Sequence, residues 1–329
     1  MIEQAIPRRE KGTIVIREHL ETFPFDTPPQ VIERRADLLL AEPLPGPIKA
    51  VRDQPPLQVV HFTSTYVKVP FDRPRGVYES DHLRVEWQTM NGRQPFYHRN
   101  CDVDEISFQV DGERTLMTDL GSVEFRPGEL ARIPVGSAHD NYGRADIHIL
   151  FYVPAPVREV RTAHRHSEPA IPPFDGWEPA IVNELVTECL GGPGHDIVMA
   201  PTDELTLLEQ AKAGSAAIPV LRPDDAPGTI WLYSGDQLMI GRCFAKSSDG
   251  ALYRRIRNAE EIQYQISGER TLVSQRGTVR LVPGDFVRIP VGIAATSIHE
   301  TPSAHLTLVS TRETPQVAES TGQAERGTI

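Results

Sequence analysis

Shifting the chain by 156 residues lays one stretch over another without a gap. Between Tyr97–His139 and Tyr253–Ala295, 20 of 43 positions are identical. GERTL recurs at 112 and 268, RIPVG at 132 and 288, and a Pro-Gly pair at 127 and 283. Repetition of this kind means two copies of one structural unit. Any fold assigned to one copy must therefore be built twice.

Each copy reads as β. From Leu57 onward the apolar runs are short and rich in β-branched and aromatic residues: LQVVHFTSTYVKV, HLRVEWQTM, EISFQVDG, ERTLMTDLG, SVEFRPG, ELARIPVG and DIHILFYVP. Gly, Pro and Asp break them at intervals of about 8–12 residues, the pattern of a sandwich or barrel. The 29 prolines and 24 glycines of the chain fit that many turns. The expected division is an N-terminal arm over 1–55, a first β domain over 56–160, a linker with short helices over 161–215, a second β domain over 216–312 and a tail over 313–329. In the arm, IERRADLLLAE has the spacing for two helical turns, ended by PLPGP. The arm reads either as a segment lying on a domain or a neighbouring subunit, or as a loose tail. In the linker, EPAIVNELVTECLGG and DELTLLEQAKAG both read as helices.

The duplication also acts as an internal control. Residues kept in both copies serve the fold, and residues lost from one serve a chemistry that only the other performs. Gly112/Gly268, Gly121/Gly277, Gly128/Gly284, Gly136/Gly292, Pro127/Pro283 and Pro134/Pro290 are kept, as turn residues should be. Tyr97/Tyr253, Gln109/Gln265 and Arg132/Arg288 are kept too and read as structural. The losses converge on one set: His98 becomes Arg254, Asn100 becomes Ile256 and His139 becomes Ala295, while Glu105 survives as Glu261.

That set has a spacing. The first copy reads Gly92-x5-His98-x-Asn100-x4-Glu105-x6-Gly112, then Gly128-x5-Pro134-x-Gly136-x2-His139. It resembles the paired motif of the cupin family, with Asn100 where the usual form has a second His. The resemblance implies an all-β fold of two tandem cupin (double-stranded β-helix, jelly-roll) barrels joined by a short helical connector. It implies metal ligands at His98, Glu105 and His139, with Asn100 as a further ligand, a substrate contact or a partner of a ligand. Two imidazoles and one carboxylate with open positions are the facial set of non-haem Fe(II) oxygenases. Arg254, Ile256 and Ala295 cannot replace them, so the second copy is expected to bind no metal. Arg254 is expected to pair with Glu261, because a lone carboxylate in a barrel interior is costly.

The run His98-Arg-Asn100 followed by Glu105 further resembles ring-cleaving dioxygenases of the homogentisate, hydroquinone and gentisate type. The spacing between Asn100 and Glu105 is one residue longer than in the homogentisate type, and here the N-terminal copy carries the ligands. The resemblance implies Fe(II), with a small hydroxylated or aminated aromatic substrate and O2 meeting at one iron. His148, Tyr142 and Gln109 are candidates for orienting substrate and moving protons. Mn, Ni or Zn and another cupin reaction (decarboxylation, isomerisation or hydroxylation) form the alternative, and a non-enzymatic ligand-binding bicupin is a third reading. The resemblance also implies a homo-oligomer, or a small partner subunit as in the hydroquinone type. His164 and His166 have an H-x-H spacing, but they sit in a Pro-rich linker.

Charge and composition exclude other classes. A net charge of −11 is wrong for a nucleic-acid partner. No apolar run reaches membrane-spanning length, and the N-terminal residues lack a signal-peptide core. Three cysteines without CxxC spacing read as free thiols in a reducing compartment, so a cytoplasmic location is expected.

Overall fold

Strand Val103–Thr118 shows how the sequence makes the fold. Its side chains alternate between two environments, as a pleated strand requires. Glu105, Ser107 and Gln109 share the face that looks into a barrel; Ile106 and Phe108 share the other, where both are fully buried. Along most of its length the strand pairs antiparallel with Ala138–Pro154, from His139 opposite Thr118 to Pro154 opposite Val103. A bulge interrupts the register between Arg144 and His148. The strand bends at Gly112, opposite that bulge, where φ is +66° and an added Cβ would meet the Ala145 carbonyl oxygen at 2.0 Å. Gly268 repeats this in the second copy, with φ +67° and the Pro302 oxygen at 2.1 Å. At these two positions the chain can carry only glycine.

The computed structural model describes residues 14–41, 54–62, 69–170, 178–190 and 195–326. The PLPGP stop, the middle of the Pro-rich linker and part of the LQVVHFTSTYVKV run lie outside the described residues. The architecture is all-β, with two barrels in tandem. Their outward faces meet back to back. Ile106, Phe108, Ile149 and Phe151 of the first barrel share one apolar cluster with Ile262, Tyr264, Leu306 and Leu308 of the second. Phe108 and Tyr264, equivalent in the repeat, touch edge to face with centroids 6.5 Å apart. Each such fully buried side chain stabilises the pair by roughly 1.5–3 kcal/mol.

Each barrel is completed by a hairpin that precedes the other. In the arm, strand Val15–Glu21 pairs parallel with Leu252–Ile256 of the second barrel, and Gln30–Arg35 pairs antiparallel on its outer side. In the linker, Ile181–Glu188 pairs parallel with Tyr97–Asn100 of the first barrel, and His195–Asp203 lies outside it. The contacts repeat in detail. Arg99 donates to Glu184 at 2.7 Å and to the Gly136 carbonyl; Arg255 donates to Glu18 and to the Gly292 carbonyl. Asp102 accepts from the backbone of Cys189 and Leu190, and Asn258 bonds the backbone of Phe23 in the same way.

Two expectations are corrected here. EPAIVNELVTECLGG is not a helix: Ile181–Glu188 is a strand. Its Ile, Val and Thr residues favour the extended form, and its backbone groups find partners on both sides. In the arm, IERRADLLLAE spends its first residues in strand Gln30–Arg35 and keeps only one helical turn, Ala36–Leu39. The second linker helix is present as Glu204–Ala213, with Asp203 as its N-cap accepting from the Leu205 amide. The arm lies on the second barrel of its own chain.

Candidate metal centre

His98, Glu105 and His139 converge from three strands: Tyr97–Asn100, Val103–Thr118 and Ala138–Pro154. His98 and His139 are directly paired in register, and their rings lie 5.2 Å apart at 64°. His139 Nε2 is 3.3 Å from Glu105 Oε2. One ligand atom from each of the three residues lies within 4.8 Å of the others, and among the described residues no other group of His, Cys, Asp and Glu side chains does this. His164 and His166 are exposed on the surface and belong to no such group.

Neighbouring groups orient two of the three candidate ligands. The Ser137 carbonyl lies 3.2 Å from His139 Nδ1 and accepts its N–H, so Nε2 is the ring nitrogen that faces Glu105. Asn100 donates its amide to Glu105 Oε2 at 3.0 Å, and its own oxygen accepts from Cys189 Sγ at 3.2 Å. Of the roles open to Asn100, this contact is the one expected of a partner to the candidate ligand Glu105.

The electrostatics suit a cation. Burial, then the neighbouring His139, push the His98 imidazole down to about 4, so it is neutral and able to ligate at neutral pH. Burial opposes ionisation of Glu105, but the charge and hydrogen bond of His139, with His98 and Asn100 behind them, outweigh it and hold the carboxyl at about 2. Burial likewise works against a charged His139, and the Glu105 carboxylate overcomes it and raises that imidazole. A proton on His139 thus balances Glu105, and a divalent ion fits the same neutral-N, anionic-O donor set.

A cavity of about 180 Å³ opens over the three ligands. Phe71, Phe96, Pro74 and Leu150 form apolar walls; Arg84, Glu86, Gln88 and Tyr152 bring polar groups; Leu185, Thr187, Cys189 and Asp196 come from the linker hairpin. Arg84 pairs with Glu86 and lies 5.5 Å over the Tyr152 ring, while its Nε has no hydrogen-bond partner. Burial raises the Glu86 carboxyl despite that pairing, and burial holds the Tyr152 hydroxyl well above its ordinary value.

Three candidates from the sequence do not line this cavity. His148 and Gln109 sit opposite each other in register and are both bonded to the buried Asp146, at 2.8 and 2.7 Å. They belong to a buried polar cluster that meets the cavity lining at Gln88, whose Oε1 is 3.2 Å from His148 Nε2. Tyr142 is one position out of phase with His139 and Asn141 and lies outside the cavity, with Arg144 over its ring at 5.8 Å. The residues missed are Arg84, Glu86, Gln88 and Tyr152, and the repeat carries a signal for them. In register, Arg84 lies opposite Tyr152, Glu86 opposite Leu150 and Gln88 opposite His148. The second barrel has Met239 opposite Val309, Gly241 opposite Thr307 and Cys243 opposite His305. Arg84, Glu86, Gln88 and Tyr152 are therefore replaced by Met239, Gly241, Cys243 and Val309, lost together with the ligands.

No family model and no curated protein sequence matches the chain. Among solved structures, the chain is similar to oxalate decarboxylase from Bacillus subtilis, with 11% identity, a TM-score of 0.47 and coverage of 82% of this chain and 81% of that one. It is also similar to a cupin 2 conserved barrel domain protein from Leptotrichia buccalis, with 6% identity, a TM-score of 0.45 and coverage of 74% and 92%. Among the described residues no helix is long and apolar enough to cross a membrane.

Proposed function

We propose that the chain is a metal-dependent dioxygenase that opens the ring of a hydroxylated or aminated aromatic compound, with Fe(II) held by His98, Glu105 and His139. The observation that carries this reading is the two-imidazole, one-carboxylate set placed at a cavity that Phe71, Phe96, Pro74 and Leu150 line together with polar side chains. When bound, iron in such a set offers open positions at which O2 and a phenolic oxygen can meet.

The chain's own residues supply the rest. Phe71 and Phe96 meet edge to face at 5.7 Å and, with Pro74 and Leu150, offer an aromatic ring apolar contact. The free Nε of Arg84 can hold an anionic substituent. The Tyr152 hydroxyl stays protonated and can donate to a ring oxygen. Glu86, raised by burial, can hold a proton for return to the product. The linker hairpin closes one side and limits water.

Decarboxylation with Mn, Ni or Zn at the same ligands is the second reading. It is favoured by the adjacency of Arg84 and Glu86: a cation to hold a carboxylate, and a carboxyl able to deliver a proton in its place. The experiment reconstitutes the full chain anaerobically with Fe(II) or Mn(II) and screens dihydroxybenzoates, aminophenols and para-diphenols. Ring cleavage requires O2 uptake in step with loss of aromatic absorbance. CO2 release without O2 uptake supports the second reading instead. Turnover that survives His139→Ala would refute both.

A further inference from the structure

The second barrel keeps a cavity although it has lost the ligands. The space is about 240 Å³ and lies inside the strands equivalent to those around the first centre. Leu252, Ile256, Leu272, Ile289 and Ile293 give it apolar walls, and Arg270, Ser297, Ser303 and His305 give it a polar end.

The polar end differs from its counterpart by one charge. In the first barrel Gln109 and His148 both bond Asp146, with the buried Arg114 nearby. In the second, Gln265 lies opposite His305 just as Gln109 lies opposite His148. Gln265 donates to Ser303 Oγ at 2.8 Å, so Ser303 stands where the first barrel has Asp146. The carboxylate is gone, but both basic groups remain.

The hydrogen-bond partners of Arg270 are all neutral, and the carboxylates whose charge reaches it, Glu261 and Asp285, make no ion pair with it. Arg270 is 3% exposed, and its guanidinium donates to Gln265 Oε1 at 2.7 Å, Ser297 Oγ at 2.7 Å and Gln263 Oε1 at 2.6 Å. No carboxylate of the described residues forms an ion pair with it. The His305 imidazole lines the cavity, and the groups acting on it after burial are Arg270, Arg254, His299 and Arg242, all basic. Glu261 does not compensate, because Arg254, Thr307 and Gln263 already occupy it.

We propose that the second barrel binds a small organic acid, its carboxylate set between Arg270 and His305 and its apolar body against Leu252, Leu272, Ile289 and Ile293. The carboxylate takes the role that Asp146 plays in the first barrel. A buried arginine with only neutral partners gains from an anion that forms charge-assisted hydrogen bonds, and the isoleucine and leucine walls gain from apolar area. This site is separate from the metal centre and does not depend on its chemistry.

The test titrates the metal-stripped full chain with benzoate and with the neutral benzamide, by calorimetry. The expected result is saturable benzoate binding, at least about tenfold weaker for benzamide, as loss of a hydrogen bond to a charged group implies. Ser303→Asp restores a carboxylate to the site and should abolish benzoate binding while raising the melting temperature, so a folding failure cannot imitate the result. His139→Ala should bind benzoate as the parent does. Absent benzoate binding, equal binding of benzamide, or undiminished binding in Ser303→Asp would each overturn the proposal. Loss of binding in His139→Ala would place the acid in the first barrel and overturn it as well.

Discussion

Arg254 Nη1 lies 3.1 Å from Glu261 Oε2, in the second barrel's counterpart of the place where the first sets His98 near Glu105. The pairing expected from the repeat is present. Arg254 also donates to Glu21 of the arm and stacks over Phe25 at 5.4 Å. Where the first barrel has its candidate cation site, the second has a covalently attached cation that also fastens the arm.

Removing that guanidinium should therefore cost stability. Arg254→Met leaves Glu261 buried with only Thr307 and Gln263 as partners, and breaking a buried pair in this way costs roughly 3–5 kcal/mol. Adding Glu261→Gln to the same chain should recover most of the loss. Urea unfolding of the two variants checks this, and a double variant no more stable than Arg254→Met would show that the arm contact matters instead.

Asn100 should tune the metal without holding it. Its amide donates to Glu105 at 3.0 Å, and outer contacts of this kind are worth about 10–100-fold in metal affinity. Asn100→Ala is expected to bind metal more weakly by that factor, whereas Glu105→Gln and His139→Ala should lose it. Chelator competition measures all three. Complete loss in Asn100→Ala would make it a ligand.

Metal affinity should rise with pH through the titration of His139. The ordinary imidazole value is raised here by Glu105, so the protonated form persists above it and must lose its proton before Nε2 can ligate. Below that pKa, affinity should climb about tenfold per pH unit and then level off. His98, pushed down to about 4, is already neutral and adds no step near neutrality. Calorimetry in buffers of different ionisation enthalpy should register release of the His139 proton; a flat profile from pH 5 to 8 would contradict this.

Much of the site was legible because the chain carries its own comparison. His98 and His139 stood out by being lost together, and Gly112 and Gly268 by being kept at matching bends. The linker strand was hidden because IVNELVTE has apolar residues that also fit helical spacing, and only the open edge at Tyr97–Asn100 decides for the strand. The same misreading hid Thr187, Cys189 and Asp196 as cavity walls. Arg84 and Glu86 were hidden by register. Their strand meets Ala138–Pro154 across a long sequence distance, and past His139 the repeat slips by one residue, so that Asp146 matches Ser303 at an offset of 157 instead of 156. His148 and Gln109 shared the face expected of them, yet both bond the buried Asp146 and neither lines the cavity.

That slip in register defines the most direct test of the cavity. Arg84→Met and Tyr152→Val install what the second barrel has at the same positions, so the residues introduced already suit a strand of this kind. Neither side chain touches the metal ligands through a hydrogen bond, and metal content should stay as in the parent chain. If Arg84 holds an anionic group of the substrate, its loss removes a hydrogen bond to a charged partner, about 1.5–3 kcal/mol or roughly 10–100-fold in kcat/KM. The loss should fall mainly on KM for Arg84→Met, since anchoring is the same before and during reaction. For Tyr152→Val it should fall on kcat if the hydroxyl donates to an oxygen that gains charge as the ring is attacked. Steady-state kinetics with any substrate found in the screen separates the two effects, and Tyr152→Phe, which keeps the ring and removes only the hydroxyl, should behave as Tyr152→Val does. If Tyr152→Phe retained full kcat, the tyrosine would be a wall and the proton would have to come from Glu86.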